Sequence, residues 1–121
     1  THHGKDPEKL RQLGIIESFY SSQFARFLEN LKNLQVSPDD SLLDKTMVLF
    51  GSGIGNASSH SNRDLPLLLA GGGFRHGEHK DYPKAGKKQT PLCNLYVSML
   101  QRFGMEIDEF GTSRGTLEGL S

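Results

Sequence analysis

The chain has 121 residues, in which fourteen lysines and arginines balance fourteen aspartates and glutamates. This length suits one domain that buries roughly two-thirds of the surface exposed by its unfolded form. The balanced charge provides neither a strongly basic surface nor an acidic tail, so the composition argues against a nucleic-acid partner. The single cysteine excludes an internal disulfide, and no apolar run approaches the roughly 20 residues needed to span a membrane.

The first ten residues, THHGKDPEKL, contain no initiator methionine and no leader, and they run directly into a helix signal. We therefore expect residues 1–121 to be a single C-terminal fragment of a larger domain. The missing N-terminal part of the same chain is then a partner of this fragment. Alternatively, His2 and His3 are the remainder of a purification tag.

A long amphipathic helix is predicted to begin after Asp6, a good N-cap, with Pro7 at its first position. Apolar residues then recur at spacings of three and four, which predicts one helix from Pro7 to about Leu34. Ile15 and Phe19 lie off the main apolar face, and we expect them to stay exposed in this fragment because the missing part covers them. The main face comprises Leu10, Leu13, Ile16, Tyr20, Phe24, Phe27, Leu31 and Leu34.

Two continuous apolar runs predict β-strands at residues 46–50 and 66–70. Neither TMVLF nor LPLLLAGGG alternates polar with apolar residues, which is typical of central strands buried on both faces. We therefore expect two neighbouring parallel strands. Pro66 would lie at the start of its strand, where the loss of an N–H donor costs least.

The last predicted element is an amphipathic helix with Thr90 as its N-cap, Pro91 at its first position and Gly104 at its end. A polar stretch at residues 74–89 precedes it and is expected to be a surface loop. The order helix, strand, strand, helix predicts part of an α/β layered fold.

The glycine- and serine-rich segment GSGIGNASSHSNRDLP, residues 51–66, follows the first predicted strand, where open α/β sheets bind ligands. Its glycine spacing and the strand after it match neither a dinucleotide fingerprint nor a Walker loop. His60, Asn62, Arg63 and Asp64 form a cluster able to bind an anion or to orient a metal ligand. The alternative is a loop without function in which His60 is a hydrogen-bonded structural histidine. The side chains expected to bind an anion or to hold a metal ligand in place are Ser52, Asn62, Arg63 and Asp64.

The remaining histidines lie in two pairs. His2 and His3 are adjacent, so in an extended segment only one could serve a given metal, whereas a kinked loop would lift that limit. His76 and His79 have the spacing H-x-x-H, but Gly77 and the polar surroundings argue against the helix that would align them. We therefore expect His76 and His79 to be exposed loop histidines.

Four segments spread over the chain carry a family resemblance: THHGKDPEKL, GSGIGNASSHSNRDLPLLLAGGG, TPLCNLYVSML and GTLEGL. They closely resemble the C-terminal part of the HXXSHH family, domain of unknown function 1552. Thr1, His2 and His3 fall on the Ser-His-His that ends the family's motif, with threonine in place of serine. The resemblance implies that the motif's first histidine precedes this chain and that the complete protein is periplasmic or extracellular.

The segment TMVLFGSGIG resembles, more distantly, the strand and turn of the alkaline phosphatase and sulfatase superfamily, whose T-x-V-x-F-x-S-D-H-G pattern supplies metal ligands. This resemblance implies the C-terminal part of an alkaline-phosphatase-like layered fold. Gly53 and Ile54 occupy the positions of the Asp and the His. Because neither side chain can bind a metal, the superfamily's usual site cannot be carried over.

Two functions remain open. The first is a divergent metal-dependent ester hydrolase of the phosphatase or sulfatase type. In it His2, His3 and His60 hold a divalent metal ion in place of the lost ligands, and the nucleophile lies outside this fragment. We then expect His60 to lie near His2 or His3 in the complete protein. The second is a non-catalytic exported surface or binding protein that kept the scaffold, and the small-molecule ligand stays open in both.

Overall fold

The structure is a computed structural model and describes residues 3–83 and 89–120. The described residues form a mixed α/β arrangement, which confirms the expected class at that level. The chain divides into two compact units, which we call unit 1 (Thr1–Gly71) and unit 2 (Gly72–Ser121). Neither of the described helices is long and apolar enough to cross a membrane. The elements in chain order are α1 (Pro7–Asn33), β1 (Met47–Gly51), β2 (Leu67–Gly71) and α2 (Cys93–Arg102).

Helix α1 confirms the sequence prediction at both ends. The Asp6 carboxylate accepts hydrogen bonds from the backbone N–H groups of Glu8 and Lys9, at 2.9 and 3.2 Å. This is the N-cap arrangement that satisfies otherwise unpaired donors in the first turn of a helix. The helix ends at Asn33, where the next residue turns to an extended conformation.

The C-terminal half of α1 packs against the rest of unit 1. The rings of Phe24 and Phe50 stack with their centroids 4.6 Å apart, and Leu31 is buried. Ile15 and Phe19 are 58% and 59% exposed, as predicted. Much of the predicted main face is exposed as well, so in the described part of unit 1 it is covered chiefly near its C-terminal end. The exposed members of that face are Leu10, Ile16, Tyr20, Phe27 and Leu34.

Strands β1 and β2 pair antiparallel, with Leu49 opposite Leu69. The prediction of parallel strands is therefore wrong, while the strand positions differ from the prediction by one residue. The connection at 52–66 explains the pairing, because it is a folded loop that contains no helix. Parallel neighbours need a crossover connection, usually a helix, to return the chain to the same end of the sheet.

Helix α2 begins at Cys93, later than predicted, and Thr90 is not its N-cap. The first turn of the helix is closed by tight hydrogen bonds from the Asn94 N–H to the Pro91 carbonyl and from the Leu95 N–H to the Leu92 carbonyl. The predicted end is confirmed, since Gly104 follows the helix with a φ of +96°. Asn94, Leu95 and Val97 are buried on this helix.

The tail at residues 103–120 is irregular but is fixed to α2 by side-chain hydrogen bonds. The Asn94 amide donates to the Thr116 carbonyl at 3.3 Å and accepts from the Arg114 N–H at 2.8 Å. The Ser98 hydroxyl accepts from the Leu117 N–H at 2.8 Å. Polar side chains on a short helix therefore hold the tail in place.

Candidate functional site

The hairpin loop, residues 52–66, continues the antiparallel pairing beyond the two strands. The Ser52 N–H donates to the Pro66 carbonyl at 3.2 Å. Further along, the Gly55 N–H donates to the Ser61 carbonyl at 2.8 Å, and the Ser61 N–H donates to the Asn56 carbonyl at 3.2 Å. The loop is therefore a second, smaller hairpin built on the end of the first.

Ser52 and Asn56 use their side chains to shape this loop. The Ser52 hydroxyl donates to the Ile54 carbonyl at 2.8 Å and accepts from the Ile54 N–H at 3.1 Å. The Asn56 amide oxygen accepts from the N–H groups of Ser58 and Ser59, at 3.0 and 3.1 Å. The structure thus gives Ser52 a local role in the turn, next to its expected role in anion binding. Sequence reasoning missed Asn56, although an asparagine two residues before a serine pair is a known turn signal.

His60 and Asp64 have left-handed backbone conformations, with φ of +52° and +56°. Such values are uncommon for residues other than glycine and occur mostly in turns. Gly55 makes room for the return of the chain, because a Cβ at this position would collide with the carbonyl oxygens of Arg63 and Asp64. The fold of the loop therefore depends on one glycine and two strained residues.

The four residues expected to form the polar cluster lie on one exposed segment of the loop. His60, Asn62, Arg63 and Asp64 are all exposed. The backbone N–H of Arg63 donates to the Ser61 hydroxyl at 3.3 Å, which fixes the main chain in the middle of the cluster. The segment can present an imidazole, an amide, a guanidinium and a carboxylate to a ligand from solvent.

Of the expected metal ligands at the N-terminus, His3 is half-buried, and His2 lies outside the described residues. The His3 Nδ1 accepts a hydrogen bond from the Lys5 N–H at 3.1 Å. In a neutral imidazole this acceptor role leaves the proton on Nε2, so His3 must give up this bond to bind a metal through either ring nitrogen. Within residues 3–83 and 89–120 no three His, Cys, Asp or Glu side chains lie close enough together to hold a metal ion. The site of His2, His3 and His60 stays a prediction.

The H-x-x-H pair lies in the irregular, exposed segment of unit 2, and both histidines are exposed as expected. Glu78 between them forms ion pairs with Arg75 and Lys80. The hydrogen bond from Lys80 is the main cause that lowers the pKa of Glu78. This carboxylate is therefore engaged by cations of its own segment.

Unit 2 also contains an open cleft of about 480 Å³ beside α2. The guanidinium of Arg102 lies over the ring of Phe74, 4.9 Å from its centroid, a distance typical of a cation–π contact. Among the residues that the structure describes, the lining combines apolar and hydroxyl or amide side chains with one cation and no carboxylate. The lining residues are Phe74, Ser98, Gln101, Arg102, Thr116, Leu117 and Leu120.

Comparisons of this chain with protein-family models, with curated proteins and with solved structures gave no match.

Proposed function

We propose that the chain is the C-terminal part of an exported HXXSHH-family protein and that its hairpin loop forms one wall of a metal-dependent ester hydrolase site. One observation carries the proposal. The loop is fixed by its own hydrogen bonds, in which the Ser52 hydroxyl donates and the side-chain oxygens of Asn56 and Ser61 accept, yet it presents His60 and Arg63 on an exposed segment. A preorganised loop of this kind can position ligand-binding groups without a further cost in ordering.

The chemistry of the exposed segment suits an anionic ester. A guanidinium matches the oxygen atoms of phosphate and sulfate groups in a two-point contact, so Arg63 would bind the substrate anion. His60 would act as a neutral imidazole ligand to a divalent ion, the role for which histidine is used most often. Because the described residues do not assemble three ligands, the proposal requires His2 to complete the set with His3 and His60. The nucleophile would come from the N-terminal part of the protein.

The test is the metal content of the full-length protein, measured by elemental analysis, with His60→Ala and His76→Ala compared with the unchanged protein. His76 is the matched control because it is also an exposed loop histidine. We expect His60→Ala to lower the bound metal per chain and to abolish hydrolysis of a chromogenic sulfate or phosphate ester, while His76→Ala changes neither. A metal-free native protein, or equal metal in both variants, would overturn the proposal.

A second function, a non-catalytic binding protein, is supported by the cleft beside α2. The Arg102 guanidinium and the apolar side chains of this cleft suit a small anion with an apolar body. This function predicts that the full-length protein holds no metal and hydrolyses no ester. It also predicts that benzoate, as a simple aromatic anion, protects the unchanged protein against thermal unfolding more than it protects Arg102→Gln.

A further inference from the structure

We infer that the cleft beside α2 binds N-acylated amino acids with an apolar side chain. In this complex the ligand's carboxylate contacts Arg102, and its amide N–H donates to the side-chain oxygen of Gln101. The inference rests on the second proposed function, binding at this cleft, and adds the chemical class of the ligand. It does not depend on whether the hairpin loop binds a metal.

Arg102 is the group that would hold the carboxylate. Its guanidinium lies on the ring of Phe74, and Phe74 is buried. Stacking occupies a flat face of the guanidinium and leaves the N–H groups at its edge for an acceptor. Arg102 takes part in none of the ion pairs between described residues. A guanidinium in this state matches the two oxygens of a carboxylate.

Gln101, the neighbour of Arg102 on α2, supplies an acceptor whose orientation is fixed. Its Nε2 atom donates to the Ile107 carbonyl at 2.6 Å, which holds the carboxamide in place. Within residues 3–83 and 89–120 no group donates to the Oε1 atom of this carboxamide. A carbonyl oxygen beside a guanidinium suits a ligand that has an N–H donor close to its carboxylate.

The charge of the lining favours an amide N–H over an ammonium group. The described part of the lining contains no carboxylate. A protonated amine would therefore lie near the Arg102 cation with no opposite charge to compensate the repulsion. An amide N–H can donate to the same oxygen and carries no charge. The cleft thus suits an acylated amino acid better than a free one.

Hydrogen bonds fix the apolar wall of the cleft before a ligand binds. The Ser98 hydroxyl accepts from the Leu117 N–H at 2.8 Å, and the Arg75 N–H donates to the Leu120 carbonyl at 2.9 Å. Leu117 and Leu120 are half-buried and line the cleft together with the Phe74 ring. The volume of about 480 Å³ lies in the range of small-molecule pockets. Because the wall is already ordered, binding costs little further ordering.

The test is isothermal titration calorimetry of the full-length protein with 3-phenylpropanoate, phenylalanine and N-acetyl-phenylalanine. These ligands share a ring and a carboxylate and differ in bearing hydrogen, an ammonium or an acetamide. We expect N-acetyl-phenylalanine to bind about tenfold more tightly than 3-phenylpropanoate, and phenylalanine to bind most weakly. If 3-phenylpropanoate binds and N-acetyl-phenylalanine binds no more tightly, the inference fails while the binding function stands. Absence of binding by all of these carboxylates and by benzoate would overturn both.

The C-terminal end of a peptide presents the same groups as an acylated amino acid. A longer peptide that ends in phenylalanine separates the two sources of this chemistry. Binding as tight as that of N-acetyl-phenylalanine assigns the cleft to peptide ends, whereas weaker binding assigns it to small acylated amino acids.

Two variants and a control test the roles of the side chains. We expect Arg102→Gln to weaken N-acetyl-phenylalanine and 3-phenylpropanoate alike, by at least about tenfold. Gln101→Met keeps the length of the side chain and removes the acceptor, so the two ligands should then bind equally. The control is Arg75→Gln, an exposed arginine of unit 2 outside the described lining, which should change neither affinity.

A preference for N-acetyl-phenylalanine that persists in Gln101→Met would overturn the role of the acceptor. An equal loss of both ligands in Gln101→Met would overturn it too, because structural damage does not distinguish the two ligands. Should a variant fail to fold, the ligand series on the unchanged protein decides the question.

Discussion

Helices α1 and α2 have similar apolar periodicity but very different burial. Helix α1 has 27 residues and buries Leu31, whereas α2 has 10 residues and buries Asn94, Leu95 and Val97. The difference lies in the segment that comes after each helix within its own unit. The tail at 103–120 returns over α2, while the residues after α1 contact it mainly near its C-terminal end. Periodicity thus predicts which face of a helix is apolar, and a neighbouring segment decides whether that face is buried.

Among these tests we expect the largest loss of stability when a core side chain is removed from α2. Leu95 is 5% exposed, so Leu95→Ala removes buried methyl groups and leaves a cavity. We expect the free energy of unfolding of the 121-residue chain, measured in urea, to fall by roughly 2–5 kcal/mol. A fall below about 0.5 kcal/mol, the range of surface substitutions, would show that α2 does not form a core.

Phe19→Ala is the matched change on α1. In the 121-residue chain the exposed ring contributes little, so we expect a change within about 0.5 kcal/mol. In the full-length protein, cover over Ile15 and Phe19 would raise the loss to roughly 3–5 kcal/mol. Equal losses in the two proteins would contradict the expectation that an N-terminal part packs on this surface.

The sequence predicted the elements of both units, because capping and hydrophobic periodicity are local properties. Asp6, Pro7 and Gly104 marked helix ends correctly. Thr90 did not, because the helix begins only at Cys93 and its N-cap is Leu92, which makes no side-chain cap hydrogen bond. Strand direction was also beyond local reasoning. A continuous apolar run indicates that a strand has apolar surroundings, but it does not determine whether the neighbouring strand runs parallel or antiparallel to it.

The sequence predicted which segment of the chain holds the candidate site, but it did not predict how that segment folds. The composition of residues 51–66 located a polar loop, and His60, Asn62, Arg63 and Asp64 do lie on one exposed segment of it. The turn made by Asn56 is local, with hydrogen bonds to residues two and three positions ahead, and a closer reading of the sequence could have found it. The pairing of Gly55 and Asn56 with Ser61 joins residues five or six positions apart, and the spacing of residue types does not determine it.

A smaller effect is expected from the buried amide that fixes the tail. Asn94→Ala removes two hydrogen bonds to the tail from a buried position. We expect the free energy of unfolding to fall by roughly 1–3 kcal/mol and amide exchange in residues 110–117 to accelerate. The control is Asn30→Ala, which changes an exposed asparagine of α1 and should stay within about 0.5 kcal/mol. Equal effects of the two variants would mean that the Asn94 side chain does not anchor the tail.

The smallest expected effect concerns Ser41, the buried polar residue of unit 1 that corresponds to Asn94 in unit 2. The Asp44 carboxylate accepts from the Ser41 hydroxyl at 2.6 Å and from the Ser41 N–H at 2.7 Å. Both hydrogen bonds lower the pKa of Asp44, and the bond from the hydroxyl is the larger cause. A carboxyl whose pKa is lower in the folded than in the unfolded state stabilises the folded protein at every pH above its unfolded-state pKa, which is about 3.9 for aspartate. That stabilisation is lost as the pH falls through the folded value.

We therefore expect the Asp44 carboxyl, followed by NMR, to titrate below the ordinary aspartate range, and Ser41→Ala to move its pKa upward. The backbone N–H of residue 41 remains in that variant, so the pKa should stay below its ordinary value, because one of the two hydrogen bonds persists. Asp44→Asn should remove this contribution to the pH dependence of unfolding below about pH 4. If the pKa of Asp44 lies at or above the ordinary aspartate value, then the turn from Ser41 to Asp44 opens in solution. Unit 1 would then lack the side-chain anchor that Asn94 provides in unit 2.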